Sequence, residues 1–278
     1  MKLKLRDRVL GLERPRLMGV LNLTPDSFSD GGRYLAPGAA LEHARRLVAE
    51  GAEILDLGAE STRPGAAPVP LEEERRRLLP VLEAVLELGV PVSVDTRKPE
   101  VAEAALRLGA HLVNDTSGLA DPRIAEVAAR YDAPLVVMHT PHPDPRRMMA
   151  AARYLDIVAE VRAQLLKWAR RAERLGVPQV VLDPGFGFGK KREHNLALLA
   201  RLSELAGLGY PLLVGLSRKR LIGELTGVEA ADQRVCGSVA AHLAAAARGA
   251  RILRVHDVAA HRQALAVFWE VEVWDGSS

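Results

Sequence analysis

Short aliphatic runs alternate with amphipathic stretches along the whole 278-residue chain. Runs at 17–22, 53–57, 91–95, 111–114, 134–138, 179–183, 211–215 and 251–255 have the length and composition of buried strands. Between them, 38–50, 71–88, 99–108, 121–130, 193–204 and 257–269 repeat apolar positions at helical spacing. Two connections are longer: 153–175 reads as a helix after a proline-rich loop, and 218–248 as a short helix followed by a long alanine-rich one. Eight β-α units predict a (β/α)8 barrel forming a single domain over 1–278, with a doubly wound open sheet as the alternative. Before them, residues 1 to about 14 alternate charged and apolar positions at period two, predicting a short β segment.

Composition narrows the setting. No apolar run approaches the length that spans a bilayer, and the first residues lack the apolar core of a signal peptide, so a cytoplasmic protein without membrane contact is expected. The single Cys236 excludes an internal disulfide framework; its alanine-rich helical surroundings predict a small buried residue rather than a nucleophile. A net charge of +3, spread evenly, gives no footprint for nucleic acid.

Function is written at the strand ends. The first strand ends at Asn22, and the second runs through Asp56 into Glu60-Ser61-Thr62-Arg63-Pro64-Gly65. The third ends at Asp95-Thr96-Arg97, the fourth at Asn114-Asp115, the fifth at Met138-His139 and the sixth at Asp183. The seventh runs into Ser217-Arg218-Lys219 and the eighth into Arg254-Val255-His256-Asp257. One such residue is explained by helix capping, but all eight strands end this way. Two of the chain's only three asparagines, Asn22 and Asn114, are among them. In a barrel these ends share one rim, where such folds place active sites.

The first strand leads into Asn22-Leu23-Thr24-Pro25-Asp26-Ser27-Phe28-Ser29-Asp30-Gly31-Gly32, a loop of amide, carboxylate and hydroxyl oxygens suited to Mg²⁺ or a phosphate. HExxH and Cys/His clusters are absent, which disfavours zinc. Asp183-Pro184-Gly185-Phe186-Gly187-Phe188-Gly189-Lys190 has Pro184 and Lys191 where a P-loop needs Gly and Ser or Thr. Arg254, His256 and the oxygen-rich loop suit a polyanionic phosphate with Mg²⁺ sharing its charge. Asp95, Asn114, Asp183 and Lys219 suit the hydrogen-bonding edge of a flat heterocycle. Phe28, Pro64 and Phe188 are apolar groups on loops, placed to touch a ring. The favoured substrate combines a heterocycle with a phosphorylated leaving group.

The 22–32 loop, Ser61-Thr62-Arg63-Pro64-Gly65, the 183–190 loop, Ser217-Arg218-Lys219 and Arg254-Val255-His256-Asp257-Val258 together resemble the bacterial dihydropteroate synthase family, in order over about residues 15–268. The resemblance implies a TIM barrel, a homodimer dimerising through 232–248, and a transferase of folate biosynthesis inhibited by sulfonamides. That enzyme joins p-aminobenzoate to 6-hydroxymethyl-7,8-dihydropterin pyrophosphate and releases pyrophosphate.

Carried over by position, the resemblance makes Asn22 the Mg²⁺ ligand and gives pyrophosphate to Asn22, Arg63, Arg254 and His256. Asp95, Asn114, Met138, Asp183 and Lys219 would hold the pterin. Phe28, Thr62, Pro64, Phe188, Ser217 and Lys219 would surround p-aminobenzoate. Catalysis would fall to Asp30, Asp95, Lys219, Arg254 and His256 through an SN1-like loss of pyrophosphate. The stretch Thr140-Pro141-His142-Pro143-Asp144-Pro145-Arg146-Arg147-Met148-Met149 departs from the family's usual glycine-containing segment. A pterin-dependent methyltransferase and a pterin-binding paralogue without activity are the alternatives.

Overall fold

The computed structural model describes residues 1–24, 37–61 and 65–274. The chain opens with β1 (Lys2–Leu5) and β2 (Arg8–Gly11), followed by β3 (Arg16–Asn22), α1 (Pro37–Glu50), β4 (Ile54–Gly58) and α2 (Leu71–Leu86). Next come β5 (Val92–Asp95), α3 (Pro99–Leu108), β6 (Leu112–Asp115), α4 (Arg123–Arg130), β7 (Leu135–Met138) and α5 (Ile157–Arg174). The last third comprises β8 (Val180–Asp183), α6 (Arg192–Ala200), α7 (Ser203–Ala206), β9 (Leu213–Val214), α8 (Arg220–Thr226), α9 (Val235–Ala246), β10 (Ile252–Val255) and α10 (Val258–Val273).

Eight strands, β3 to β10, pair in parallel, with β10 lying between β3 and β9. A bridge between Leu182 and Leu212 joins β8 to the start of the β9 segment, and the Leu182 N–H donates to the Pro211 carbonyl at 2.9 Å. The sheet therefore curls into the expected (β/α)8 barrel, with helices covering the outside. The eight predicted strands coincide with the observed ones to within two residues, except that β9 is only two residues long. The predicted helix 193–204 breaks into α6 and α7, a step that keeps Leu198, Leu202 and Leu205 all buried.

The predicted N-terminal β segment is an antiparallel hairpin of β1 and β2. Its Leu3 and Leu5, with Leu12, pack against Met18, Ile54, Leu112, Val136, Val181, Leu213 and Ile252. The hairpin thus plugs the end of the barrel where the strands begin, and Arg6 pins its turn by donating to the carbonyls of Leu106, Ala110 and Tyr131.

Cys236 corrects an expectation: it is exposed on α9, not buried. Among the described residues no helix is long and apolar enough to cross a membrane.

Candidate active site

Strand alternation builds the site. Successive side chains on a strand point to opposite faces, so residues two apart share a face. Ile54, Leu112, Val136, Val181 and Ile252 fill the barrel at the plugged end. Two residues further along each strand stand Asp56, Asn114, Met138, Asp183 and Arg254, which therefore form the next inward layer. Asp95 takes the equivalent place on β5 after the buried Ser93, and Asn22, half-buried, stands one pleat beyond Val20 on β3. One pattern thus yields an apolar plug below and a polar floor above, at the C-terminal mouth.

Arg254 organises the floor. Its Nε donates to Asp56 Oδ2 at 2.6 Å and its Nη2 to Asp95 Oδ2 at 3.1 Å. Asn114 Nδ2 donates to the same Asp56 oxygen at 3.2 Å. Asp56 Oδ1, Asn114 Oδ1 and Ser93 Oγ are buried and, among the described residues, make no hydrogen bond. Buried acceptors left unpaired cost about 1–3 kcal/mol each, so a floor carrying two of them favours a ligand rich in N–H donors.

Burial pushes the Asp95 carboxyl above its ordinary range; Arg254 opposes this, while the carboxylates of Asp56, Glu74 and Asp115 add to it. Burial also raises Asp183, against the Gly185 N–H that it accepts at 2.7 Å and the charges of Lys219 and Lys190.

The 183–190 loop is held from beneath. Lys190, 3% exposed, donates to the carbonyls of Gly185 at 2.9 Å, Phe188 at 3.0 Å and His139 at 3.2 Å, so each N–H of the ammonium has an acceptor. Burial pushes this lysine down to about 7, with Asp183 opposing the shift. Gly185 (φ +67°) lies so close to the His139 carbonyl that a Cβ would sit 2.0 Å from its oxygen. At Gly189 (φ +57°) a Cβ would stand 2.3 Å from Pro141 Cγ. Both positions therefore require glycine. This packing presents the Phe188 ring 4.2 Å from Lys219 Nζ.

Across the mouth, Ser217 Oγ accepts from the His256 backbone N–H at 3.2 Å and lies 3.0 Å from His256 Nδ1. The structure thus brings together Asp95 with Arg254, Lys219 with Phe188, and Ser217 with His256. Phe28, Asp30, Thr62, Arg63 and Pro64 lie outside the described residues.

The divergent 140–150 loop has a definite position. Arg97 Nη1 donates to the Pro143 carbonyl at 3.1 Å, and the Gly65 N–H to the Pro145 carbonyl at 3.2 Å. Tyr154, just beyond, donates to the Gly189 carbonyl at 3.1 Å. Arg97 also reaches Glu60 at 2.6 Å, and Lys98 does so at 2.7 Å. Burial raises Glu60, but these two cations and the Val69 N–H prevail, and its carboxyl lies below the usual value.

Residues 18–256, which span every strand of the barrel but for the first two residues of β3, match the family described as pterin binding enzyme. The dihydropteroate synthase of Neisseria meningitidis serogroup B is 51% identical over 270 residues, covering 94% of each chain. The chain belongs to the dihydropteroate synthase family.

Solved structures agree. The Thermus thermophilus dihydropteroate synthase, in complex with 4-aminobenzoate, is 66% identical with a TM-score of 0.90, covering 99% of this chain and 100% of that one. The Xanthomonas albilineans dihydropteroate synthase, in complex with 7,8-dihydropteroate, is 48% identical with a TM-score of 0.89 over 99% and 100% of the two chains.

Sequence reasoning gave no role to Asp56 or Lys190. Asp56, in the middle of β4, carried a usable signal, since it follows Ile54 at the spacing that separates Asn114 from Leu112. Lys190 closes a recognised motif, but only its burial reveals what it holds.

Proposed function

We propose that this chain condenses p-aminobenzoate with 6-hydroxymethyl-7,8-dihydropterin pyrophosphate, giving 7,8-dihydropteroate and pyrophosphate in folate biosynthesis. The observation that carries the reading is the inward layer of Asp56, Asp95, Asn114, Asp183 and Arg254 at the C-terminal mouth, in a chain of this family.

In this reading Asp95, Asn114 and Asp183 take the N–H edge of the pterin, with Met138 and Lys219 beside the ring. Carboxylates suit adjacent N–H groups because each accepts several hydrogen bonds. Pyrophosphate falls to Arg254 and His256, with Asn22 and Arg63. Phe188, Ser217 and Lys219, with Phe28, Thr62 and Pro64, form the p-aminobenzoate pocket.

Mg²⁺ fits as a guest of the phosphates. Among the described residues no group of three His, Cys, Asp or Glu side chains is placed to hold a metal. Asn22 offers one hard amide oxygen at the rim, and Mg²⁺ often takes few protein ligands beside water and substrate phosphate. Such an ion would neutralise charge on the leaving group.

An aromatic amine is a weak nucleophile, so the chain's work lies in departure. The C–O bond breaks with its electron pair leaving on pyrophosphate, where Arg254 and His256 stabilise the charge. The pterin ring spreads the resulting positive charge, and the carboxylates of Asp95 and, by the family resemblance, Asp30 stabilise it electrostatically. The amine nitrogen then forms the C–N bond and loses a proton. We further propose a homodimer through 232–248, where Cys236 is exposed, cytoplasmic residence, and sulfonamides competing with p-aminobenzoate.

Measuring pyrophosphate release with both substrates tests the reading. Release that requires p-aminobenzoate is expected. Methyl transfer to a corrinoid, or pterin binding without turnover, would refute it.

A further inference from the structure

Two buried histidines outside the substrate layer form a continuous chain with the loops that carry Ser217 and His256. The Leu216 N–H donates to His242 Nε2 at 3.0 Å. That nitrogen is therefore an acceptor, and the proton of a neutral His242 sits on Nδ1. Nδ1 lies 2.9 Å from His261 Nε2, and His261 Nδ1 lies 2.7 Å from the Asp257 carbonyl. A carbonyl only accepts, so His261 also carries its proton on Nδ1. With these partners the bonds run from Leu216 to His242 to His261 to Asp257.

Neither ring takes a charge readily. Burial, with His261 adding to it, pushes His242 down to about 3. Burial also lowers His261, although the Asp257 carbonyl and carboxylate oppose it.

The chain does more than fill space. Strand β9 ends at Val214, so the Leu216 amide lies beyond the sheet and needs another acceptor. Arg218, two residues on, has φ +60°, a left-handed conformation that a non-glycine residue holds only when its surroundings impose it. Those surroundings are specific. The Arg218 N–H donates to Ser238 Oγ at 2.9 Å, and Ser238 precedes His242 by one turn on the buried face of α9. Arg234 Nη1 donates to the carbonyls of Arg218 at 3.1 Å and Lys219 at 3.3 Å. The Arg218 guanidinium pairs with Asp257 at 3.0 and 2.5 Å, so α10 opens without a side-chain cap from Asp257. The segment carrying Ser217 and Lys219 is thus gripped on both sides of Ser217.

We propose that Ser238, His242 and His261 are positioning residues for this active site, a relay that locks the Ser217–Lys219 segment against the His256–Asp257 segment. The proposal rests on the assignment of Ser217 and Lys219 to the p-aminobenzoate pocket. It predicts that breaking the relay weakens p-aminobenzoate, through both Ser217 and Lys219, more than it weakens the pterin, whose N–H edge is taken by Asp95, Asn114 and Asp183.

The test combines NMR on the unaltered protein with four variants. Long-range proton–nitrogen correlations are expected to show Nδ1–H on both His242 and His261. Leaving the Leu216 or Arg218 amide unpaired, with His242→Phe or Ser238→Ala, is expected to raise KM for p-aminobenzoate by about tenfold. Binding of the pterin alcohol, which meets this segment only at Lys219, should weaken less, by about threefold or under, and His242→Gln, which restores an acceptor, should recover most of the loss. An Nε2–H tautomer or a charged ring on His242 at neutral pH would overturn the relay. So would variants that melt earlier at unchanged KM, since packing alone would do that. Ser217→Ala separates the two claims. If it raises KM while the relay variants do not, only the relay fails. If none of them raises KM, the pocket assignment falls too. If only the relay variants raise it, the relay stands and acts through Lys219.

Discussion

Arg254 Nε and Asp56 Oδ2 stand 2.6 Å apart although 198 residues separate them in the chain. Asp56 has no exposed surface, and the same oxygen also accepts from Asn114. The proposed pyrophosphate-binding arginine and a proposed pterin-binding asparagine therefore share one carboxylate. Asp56→Asn keeps the shape but removes the charge. It is expected to lower kcat/KM by about tenfold to a hundredfold, as for loss of a charged buried hydrogen bond. Steady-state pyrophosphate release measures this, and an unchanged kcat/KM would leave Asp56 without a role.

Asp95 and Asp183 both have pKa values raised by burial. Each must be ionised to accept two N–H groups, so kcat/KM for the pterin should fall on acidification at a pH above the ordinary carboxylate range. The stability effect has the opposite sign. The native state binds the proton more tightly than the unfolded chain, so these carboxyls cost stability above that window and the cost is relieved as pH falls through it. Asp56 is one cause of the Asp95 shift, after burial, so Asp56→Asn should move the acid limb to lower pH. A limb that stays fixed would contradict this coupling.

Asp183→Asn is expected to weaken pterin binding at least about tenfold, because an amide cannot replace a carboxylate accepting two donors. Calorimetric titration with the pterin alcohol decides the matter. Unchanged affinity removes Asp183 from the site.

His256→Ala should weaken the pterin pyrophosphate by about tenfold or more while changing the alcohol little, since only the pyrophosphate needs charged donors. Arg254→Ala should weaken both ligands, because it also leaves the buried Asp56 and Asp95 without their cation. Equal losses for both ligands in His256→Ala would show that His256 grips the ring instead.

Lys190→Met leaves the carbonyls of His139, Gly185 and Phe188 without their donor. Destabilisation of about 2–4 kcal/mol is expected in urea, with weaker pterin binding through the displaced 183–190 loop. Stability within about 0.5 kcal/mol of the unaltered protein would mean that the loop holds its own shape.

Much of this protein is legible without coordinates. Strand and helix periods are local properties, so eight β-α units, their order and the polar residues at each strand end follow from hydrophobic spacing alone. Even the inward layer is implied, because Asn114 follows Leu112, and Asp183 follows Val181, at a period of two. What the chain does not display is which distant side chains meet. Barrel closure brings β10 beside β3, and only then does Arg254 reach Asp56 and Asp95. The His242–His261 pair depends on how α9 meets α10, and the three acceptors of Lys190 on how two loops stack. Cys236 shows the same limit. Helix α9, Val235–Ala246, is nearly all small and apolar and has no polar stripe to mark its outer face, so its orientation is set by the partners of Ser238 and His242. Periodicity is written locally, whereas partnership depends on register, closure and helix rotation, which exist only once the chain has folded.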